Sequence, residues 1–215
     1  LVEGSSAGVY RFTDGAATLN STVIANPTTP TKDIFGNAVR DRLNSFNLDG
    51  TGYAEVADDA DLDFGTGAFT MECWMVANYI DKGQTINVAM SLGGNVTLTG
   101  TAGLGIKGST GKIRGYVDSE VCDMNDTFTT GQWYHVVTTR AENGLCTLYL
   151  DAVAQTDTET TTGNVSNSHS KLIGRDTNID RGYEDLISDV RLYDRALSAT
   201  EIENNYNAGL SAHTN

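Results

Sequence analysis

Short stretches of β-branched and aromatic residues recur along the whole chain, separated by clusters of glycine, asparagine and aspartate. This spacing is typical of an antiparallel sandwich or barrel and not of alternating strands and helices. In the clearest stretch, residues 69–75, alternate side chains from Phe69 to Met75 are apolar and share one face. Residues 133–138 and 146–150 predict two further strands, and Asn143-Gly144 between them favours a tight hairpin turn. The pattern therefore predicts an all-β fold.

Weaker patterns predict the remaining strands and one helix. Ser198 and Glu201 have the spacing of a capping box, in which each side chain satisfies a backbone amide near the other residue. Ile202 and Tyr206 then lie on one helical face, and Gly209 is expected to end the helix. The threonine-rich residues 156–162 are expected to form a loop or an edge-strand turn. Further strands are predicted at residues 8–12, 45–48, 106–113, 114–117, 171–173 and 186–193.

Length and charge limit the classes of function. The chain has 215 residues, enough for one domain (1–215, core 9–209), and its formal net charge is −14. Such a surface repels phosphate backbones and anionic lipids, so we expect no nucleic-acid partner. No apolar run approaches the roughly 18 residues of a membrane span, so we expect no membrane insertion. The N-terminus has neither a methionine nor a signal-peptide pattern, which suggests a processed or excised piece.

Several segments follow, in order, the motifs of one known family. The ordered set is more specific than any single motif, and it extends over almost the whole chain. The segments are Val9-Tyr10-Arg11-Phe12, Phe46-Asn47-Leu48-Asp49-Gly50, Leu62-Asp63-Phe64-Gly65, Phe69-Thr70-Met71-Glu72-Cys73-Trp74, Gly111-Lys112-Ile113, Gly131-Gln132-Trp133-Tyr134-His135-Val136, Leu148-Tyr149-Leu150-Asp151, Ile173-Gly174-Arg175 and the stretch from Ile187 to Ser198. Together these segments resemble the laminin-G-like, concanavalin A-like lectin/glucanase domain.

The resemblance implies a two-sheet antiparallel jelly-roll sandwich with one short C-terminal helix. Together with the composition and the absence of a catalytic acid pair, it leads us to expect a non-catalytic glycan-binding or adhesion module on an extracellular or virion surface, with a glycan or surface protein as partner. A second interpretation is a structural decoration, fibre or filament subunit that packs or self-assembles in a larger particle. A divergent polysaccharide hydrolase or lyase comes third.

The spacing of the acidic residues in the sequence does not indicate a catalytic pair of carboxylates. Retaining sandwich glucanases place their paired carboxylates on one strand as E-x-D-x-x-E, and this spacing does not occur in the sequence. The nearest clusters, Asp118-Ser119-Glu120 and Glu184-Asp185, have a different spacing. We therefore expect no enzyme activity. Residues 103–108 match G-x-G-x-x-G, but no helix follows, so a glycine-rich turn is expected instead of a dinucleotide site.

Calcium is the cofactor that the resemblance implies. Its candidate ligands are Asp49, Asp185 and Asp189, which first and last strands of a jelly roll could bring together although they are far apart in sequence. Ser188 departs from the family pattern, where many relatives have aspartate. The acid-rich residues 118–126 form a second candidate. Ordinary surface acids remain the alternative for both.

Aromatic residues near loops or strand ends are the candidate sugar platforms. Trp74 could stack on a sugar or pack beneath loops. Cys122 and Cys146 are a candidate disulfide that would indicate an extracellular setting, whereas Cys73 alternates with core residues and is expected to be a buried thiol. The candidate ligand-binding residues are Tyr53, Tyr79, Tyr116 and Tyr183.

Overall fold

The computed structural model describes residues 2–4, 9–12, 21–24, 45–77 and 86–213. Its strands are β1 (Val2–Gly4), β2 (Val9–Phe12), β3 (Ser21–Ile24), β4 (Ser45–Asp49), β5 (Tyr53–Val56), β6 (Phe69–Ala77), β7 (Asn87–Ser91), β8 (Ala102–Lys107), β9 (Lys112–Val117), β10 (Glu120–Asp123), β11 (Gln132–Arg140), β12 (Leu145–Leu150), β13 (Val153–Thr160), β14 (Lys171–Ile173) and β15 (Glu184–Tyr193). One α-helix, α1 (Ala199–His213), follows them, and short 3₁₀ turns lie at Ala60–Leu62, Gly108–Thr110 and Ile179–Arg181.

The strands form two antiparallel sheets, which confirms the predicted jelly-roll sandwich. Sheet A has the order β1-β2-β15-β6-β11-β12-β13, and β4 pairs with the part of β15 that β2 leaves free. Sheet B has the order β10-β9-β8-β7-β14-β5-β3. Neighbours in space are often distant in sequence, because the chain crosses repeatedly between the sheets.

The core lies between the sheets, as the period-two pattern predicts. Phe69, Met71, Cys73 and Met75 on β6 are fully buried in one cluster that includes Val136 of β11. The predicted hairpin between β11 and β12 is also confirmed. Its turn contains Gly144 with a φ of +84°, a conformation that glycine adopts without strain.

The strand predicted at residues 106–113 is wrong as a single element. β8 ends at Lys107, a 3₁₀ turn follows, and Gly111 has a φ of +61° before β9 begins. The chain therefore reverses direction inside the predicted strand, and β8 and β9 form a hairpin.

The G-x-G pattern at residues 103–105 serves packing in sheet B. A β-carbon on Gly103 would stand 2.7 Å from the carbonyl oxygen of Met90, and one on Gly105 would stand 2.7 Å from that of Asn87. Ile86 and Val96 lie against the same positions. The glycines thus allow neighbouring backbone to approach the sheet closely.

The outer edges of the two sheets meet along one side of the sandwich. The Asp123 amide donates to Asp157 Oδ2 at 2.9 Å, and the Thr156 amide donates to Asn125 Oδ1 at 2.9 Å. The Asn125 amide donates to Gln155 Oε1 at 2.7 Å. Residues 156–160, expected in a loop or edge-strand turn, lie in the edge strand β13, whose amides find side-chain acceptors on the β10 side.

Helix α1 covers the outer face of sheet A. Its capping box is confirmed: the Ser198 amide donates to Glu201 Oε2 at 2.9 Å, and the Glu201 amide donates to Ser198 Oγ at 3.3 Å. The predicted end at Gly209 is wrong, because the helix continues to His213. Among the described residues, no helix is both long and apolar enough to cross a membrane.

Candidate functional site

A pocket of about 290 Å³ lies between helix α1 and the outer face of sheet A. We call it the helix pocket. Sheet residues form one wall and the last turns of the helix form the other. The lining residues are Trp74, Gln132, Trp133, Asp151, Tyr206, Leu210 and His213.

Strand alternation places the sheet residues of the pocket. On β6 the odd-numbered residues from Phe69 face the core, so Trp74 points outward. Its register partner on β11 is His135, and Trp133 precedes His135 on the same face. Because Val136 faces the core, Trp133 and His135 on the opposite face of the same strand point to the outside of the sandwich.

Four of the seven described lining residues carry aromatic rings. The Trp74 indole is stacked on His213, with ring centroids 4.2 Å apart and planes 5° from parallel. Tyr206 stacks on the same indole at 5.6 Å and 14°. Trp133 meets His213 edge to face at 4.7 Å and 74°. Trp74 is only 2% exposed, whereas Trp133 and Tyr206 are half-buried and present part of their rings to the pocket.

Asp151 supplies the carboxylate of the pocket. It lies in the turn between β12 and β13 with a φ of +48°, and its Oδ1 accepts a hydrogen bond from the His135 amide at 2.9 Å. Burial raises the pKa of Asp151, and the His135 amide opposes this shift. The pKa of Tyr206 is also raised, first by burial and then by the negative charge of Asp151.

His213 closes the far end of the pocket. Its Nε2 lies 2.6 Å from Ser188 Oγ, and its Nδ1 lies 2.8 Å from the Gly209 carbonyl oxygen. Burial lowers the pKa of His213 to about 4, so the ring is neutral near pH 7. The His213 ring therefore contributes no positive charge to a ligand there.

A buried ionic network lies on the same sheet face beneath the helix. Arg191 forms an ion pair with Glu72, His135 Nε2 lies 3.2 Å from Glu72 Oε1, and Asn205 Nδ2 donates to Glu72 Oε2 at 2.8 Å. Burial disfavours the Glu72 carboxylate, but the His135 and Arg191 contacts outweigh burial and lower its pKa. Glu72 is thus held as an anion. The sequence did not predict this network, because strand alternation places Glu72 on a face but does not show which residues of other strands contact it.

The structure corrects two of the four candidate sugar platforms. Tyr116 and Tyr183 are each 1% exposed, so neither ring can stack on a ligand. The Tyr183 hydroxyl instead donates to the Val76 carbonyl oxygen. Tyr53 is half-buried, and the guanidinium of Arg175 covers its ring at 4.0 Å. Tyr79 lies outside the described residues.

The expected calcium ligands do not converge. Asp49 lies opposite Glu184 in the β4–β15 register, whereas Asp189 is five residues further along β15, roughly 16 Å away. Asp49 Oδ1 accepts hydrogen bonds from the Thr51 amide and hydroxyl and the Gly52 amide. These bonds, with the Thr51 hydroxyl first, lower the pKa of Asp49 to about 2.

The other two acids have different neighbours. Asp189 Oδ1 lies 3.4 Å from Arg191 Nη2, and Asp185 Oδ1 accepts a hydrogen bond from the Leu186 amide at 2.8 Å. Within the described part of the chain, no three acidic, histidine or cysteine side chains are grouped so as to hold a metal ion. The convergence of Asp49, Asp185 and Asp189 on one ion is therefore wrong.

The second acidic region has structural partners. Asp118 accepts hydrogen bonds from the Gly100 amide at 2.9 Å and the Thr161 hydroxyl at 2.9 Å. Asp123 Oδ2 lies 2.5 Å from Arg114 Nη2. Asp118 thus joins separate turns of the chain, and Asp123 pairs with the neighbouring strand β9.

The candidate disulfide is also wrong. Cys73, Cys122 and Cys146 are all buried free thiols. The Cys122 thiol donates to the Cys146 carbonyl oxygen at 3.4 Å, so the two residues are neighbours without a bond between their sulfurs. Burial raises the pKa of Cys122 to about 11 and that of Cys146 to about 12. Both therefore remain protonated near neutral pH.

Solved structures share this fold at low sequence identity. Trypanosoma rangeli sialidase matches 98% of this chain with a TM-score of 0.62 and 18% identity, and the match spans 34% of the sialidase. The binding domain of Paraclostridial Mosquitocidal Protein 1 matches 88% of this chain and 52% of its own, with a TM-score of 0.57 and 16% identity. The chain thus spans about a third of the sialidase.

Another similar structure is an isolated domain. Domain 4 of AbnA, a GH43 extracellular arabinanase from Geobacillus stearothermophilus, was solved in complex with arabinotriose. It matches 86% of this chain and 86% of its own length, with a TM-score of 0.59 and 17% identity. At these identities the likeness establishes the fold alone.

Sequence comparison identifies the family. No curated protein sequence gives a significant match. A family model described as the concanavalin A-like lectin/glucanases superfamily matches residues 48–203, which is well over half of the chain. The chain therefore belongs to the concanavalin A-like lectin/glucanase superfamily.

Proposed function

We propose that this chain is a non-catalytic glycan-binding module on an extracellular or particle surface, and that the helix pocket is its binding site. The observation that carries the proposal is the group of aromatic rings around one cavity, with the carboxylate of Asp151 and the amide of Gln132 at its wall. Sugar rings present apolar C–H faces and polar hydroxyls, so a site that combines aromatic faces with a few polar groups suits them. The domain-4 structure with arabinotriose supports glycan binding within this fold.

The arrangement of acids supports binding over hydrolysis. Glycosidases use two carboxyl groups on either side of the scissile bond. Among the described residues that line the pocket, Asp151 is the only acid. Glu72 is fully buried and held by Arg191, so it is placed to stabilise the fold and not to meet a substrate.

Binding of oligosaccharides to the full chain tests the proposal. A glycan array followed by calorimetry should detect binding that Trp133→Ala abolishes. Tyr53→Ala is the matched control, since it removes a half-buried aromatic ring outside the pocket. Assays for reducing ends and unsaturated products on the bound polymers should show no turnover. Binding that survives Trp133→Ala, or turnover that depends on Asp151, would contradict the proposal.

A further inference from the structure

The charges around the helix pocket restrict which sugars can enter it. Asp151 contributes a carboxylate, and no lysine or arginine lines the pocket in the part of the chain that the structure describes. His213 is neutral near pH 7 because burial opposes its protonation. The pocket therefore holds negative charge without a cation at its wall.

Arg191, a described cation beneath the helix, is already neutralised. Arg191 forms ion pairs with both Glu72 and Asp189, and it does not line the pocket. Recognition of a sugar carboxylate or sulfate normally uses an arginine or lysine, because a charge-assisted hydrogen bond offsets the cost of removing the anion from water. None of the described residues that line the pocket is an arginine or lysine. The net charge of the chain, −14, also opposes the approach of any anion.

The polar groups that are present suit hydroxyls. The Asp151 carboxylate accepts hydrogen bonds, and Gln132 can both donate and accept. Such a set can pair with the hydroxyl groups of a sugar, each of which donates and accepts.

We infer that the helix pocket selects neutral sugars and excludes acidic ones, with Asp151 as the residue that determines this specificity. The inference rests on the proposed glycan-binding function. We therefore expect the ligand to be a neutral oligosaccharide and not a uronic, sialic or sulfated sugar.

Ligand pairs that share a sugar skeleton and differ in charge provide the test. Trigalacturonate and its methyl ester have the same ring geometry, and the ester is neutral. We add α-1,5-arabinotriose and α-1,4-galactotriose as neutral trisaccharides, and 3′-sialyllactose with lactose as a second acidic and neutral pair. Affinities of the full chain are measured by calorimetry at low and high salt.

We expect the neutral member of each bound pair to bind at least about tenfold more tightly, which corresponds to about 1.4 kcal/mol. The ratio should shrink at high salt, because ions screen the repulsion. Asp151→Asn should bring the ratio closer to one, because the acidic ligand then binds more tightly. Asparagine keeps the acceptor for the His135 amide and tolerates the positive φ at this position, so the variant should fold normally.

The outcomes separate the inference from the proposed function. Binding that requires Trp133 but favours the acidic member, or an unchanged ratio in Asp151→Asn, would overturn the inference and leave the glycan-binding function intact. If no ligand of the panel and no glycan of the array binds in a Trp133-dependent way, both are rejected.

Discussion

Gly209 of helix α1 lies directly on the indole of Trp74, so close that a β-carbon at Gly209 would stand 2.5 Å from Nε1 and 2.8 Å from Cε2. The absence of a side chain at this position allows the helix to rest on the ring. Tyr206 and His213, three residues before and four after, stack on the same indole. This contact sets the height of the helix above sheet A.

Gly209→Ala should therefore destabilise the domain. In an exposed helix the same change stabilises by about 1 kcal/mol, because alanine is the better helix former. Here the added methyl group overpacks the indole, at a cost of about 1–3 kcal/mol. Thermal unfolding should show a lower Tm for Gly209→Ala. Asn207→Ala, at an exposed position two residues earlier, is the control and should be neutral or stabilising. A higher Tm for both variants would show that the helix does not press on Trp74.

The Glu72–Arg191 pair should be far more sensitive to substitution than a surface pair. Arg191→Met leaves the fully buried Glu72 without its main counter-charge, which typically costs about 3–5 kcal/mol. Arg195→Met is the matched control, because the Arg195–Glu201 pair is largely exposed and such pairs contribute about 1 kcal/mol or less. Chemical denaturation measures both. Equal losses in the two variants would contradict the buried network.

His213 should make the domain less stable in mild acid. Its pKa is about 4 in the folded state and 6.5 in an ordinary environment, so the unfolded chain binds a proton more readily. The contribution of the neutral ring is full above pH 6.5 and is lost as the pH falls towards 4. It amounts to at most about 3 kcal/mol, since one pKa unit corresponds to about 1.4 kcal/mol.

Melting curves from pH 7.5 to 4 measure this effect. His213→Gln should lower the Tm at neutral pH and flatten its dependence on pH between 6.5 and 4. His169→Gln, which changes an exposed histidine, is the control for the substitution itself. Parallel pH profiles for all three proteins would rule out a buried neutral His213.

Asp49 should matter for its turn and not for an ion bound jointly with Asp189. Asp49→Asn keeps an oxygen acceptor for the Thr51 and Gly52 amides, so the loss of stability should be below about 1 kcal/mol. The difference in Tm between calcium and chelator should be the same in Asp49→Asn, Asp189→Asn and the parent. A calcium response that either variant removes would place a metal at that carboxylate after all.

The fold could be predicted from the sequence because its signals are local. Met71 and Val136 lie in long alternating strands, so their burial follows from period-two spacing, and Ser198 and Glu201 mark the helix start at short range. Gly209 lies inside the helix and does not end it, although glycine at the end of a helical pattern commonly marks the helix terminus. Its true role depends on Trp74, which lies more than 130 residues earlier in the sequence.

The sequence indicates which types of residue a binding site would use, but not which of them meet in space. Strand register decides which acids meet: residues 184–188 of β15 pair with β4, whereas residues 190–193 pair with β2, so Asp189 lies beyond the strand that carries Asp49. The helix pocket likewise depends on where α1 docks, which brings Tyr206 next to Trp133 and Asp151. No pattern within one segment encodes such a meeting of distant segments.

The contact between the edges of β10 and β13 has a consequence for contacts with other molecules. An open sheet edge can recruit an extended strand from another chain, because its amides and carbonyls lack partners. At this side of the sandwich, Asn125 and Asp157 already accept hydrogen bonds from amides of the opposite edge. Of the described strands, β1, β3 and β4 form the other sheet edges, so we expect a fibre or aggregate built by β-augmentation to begin at one of these.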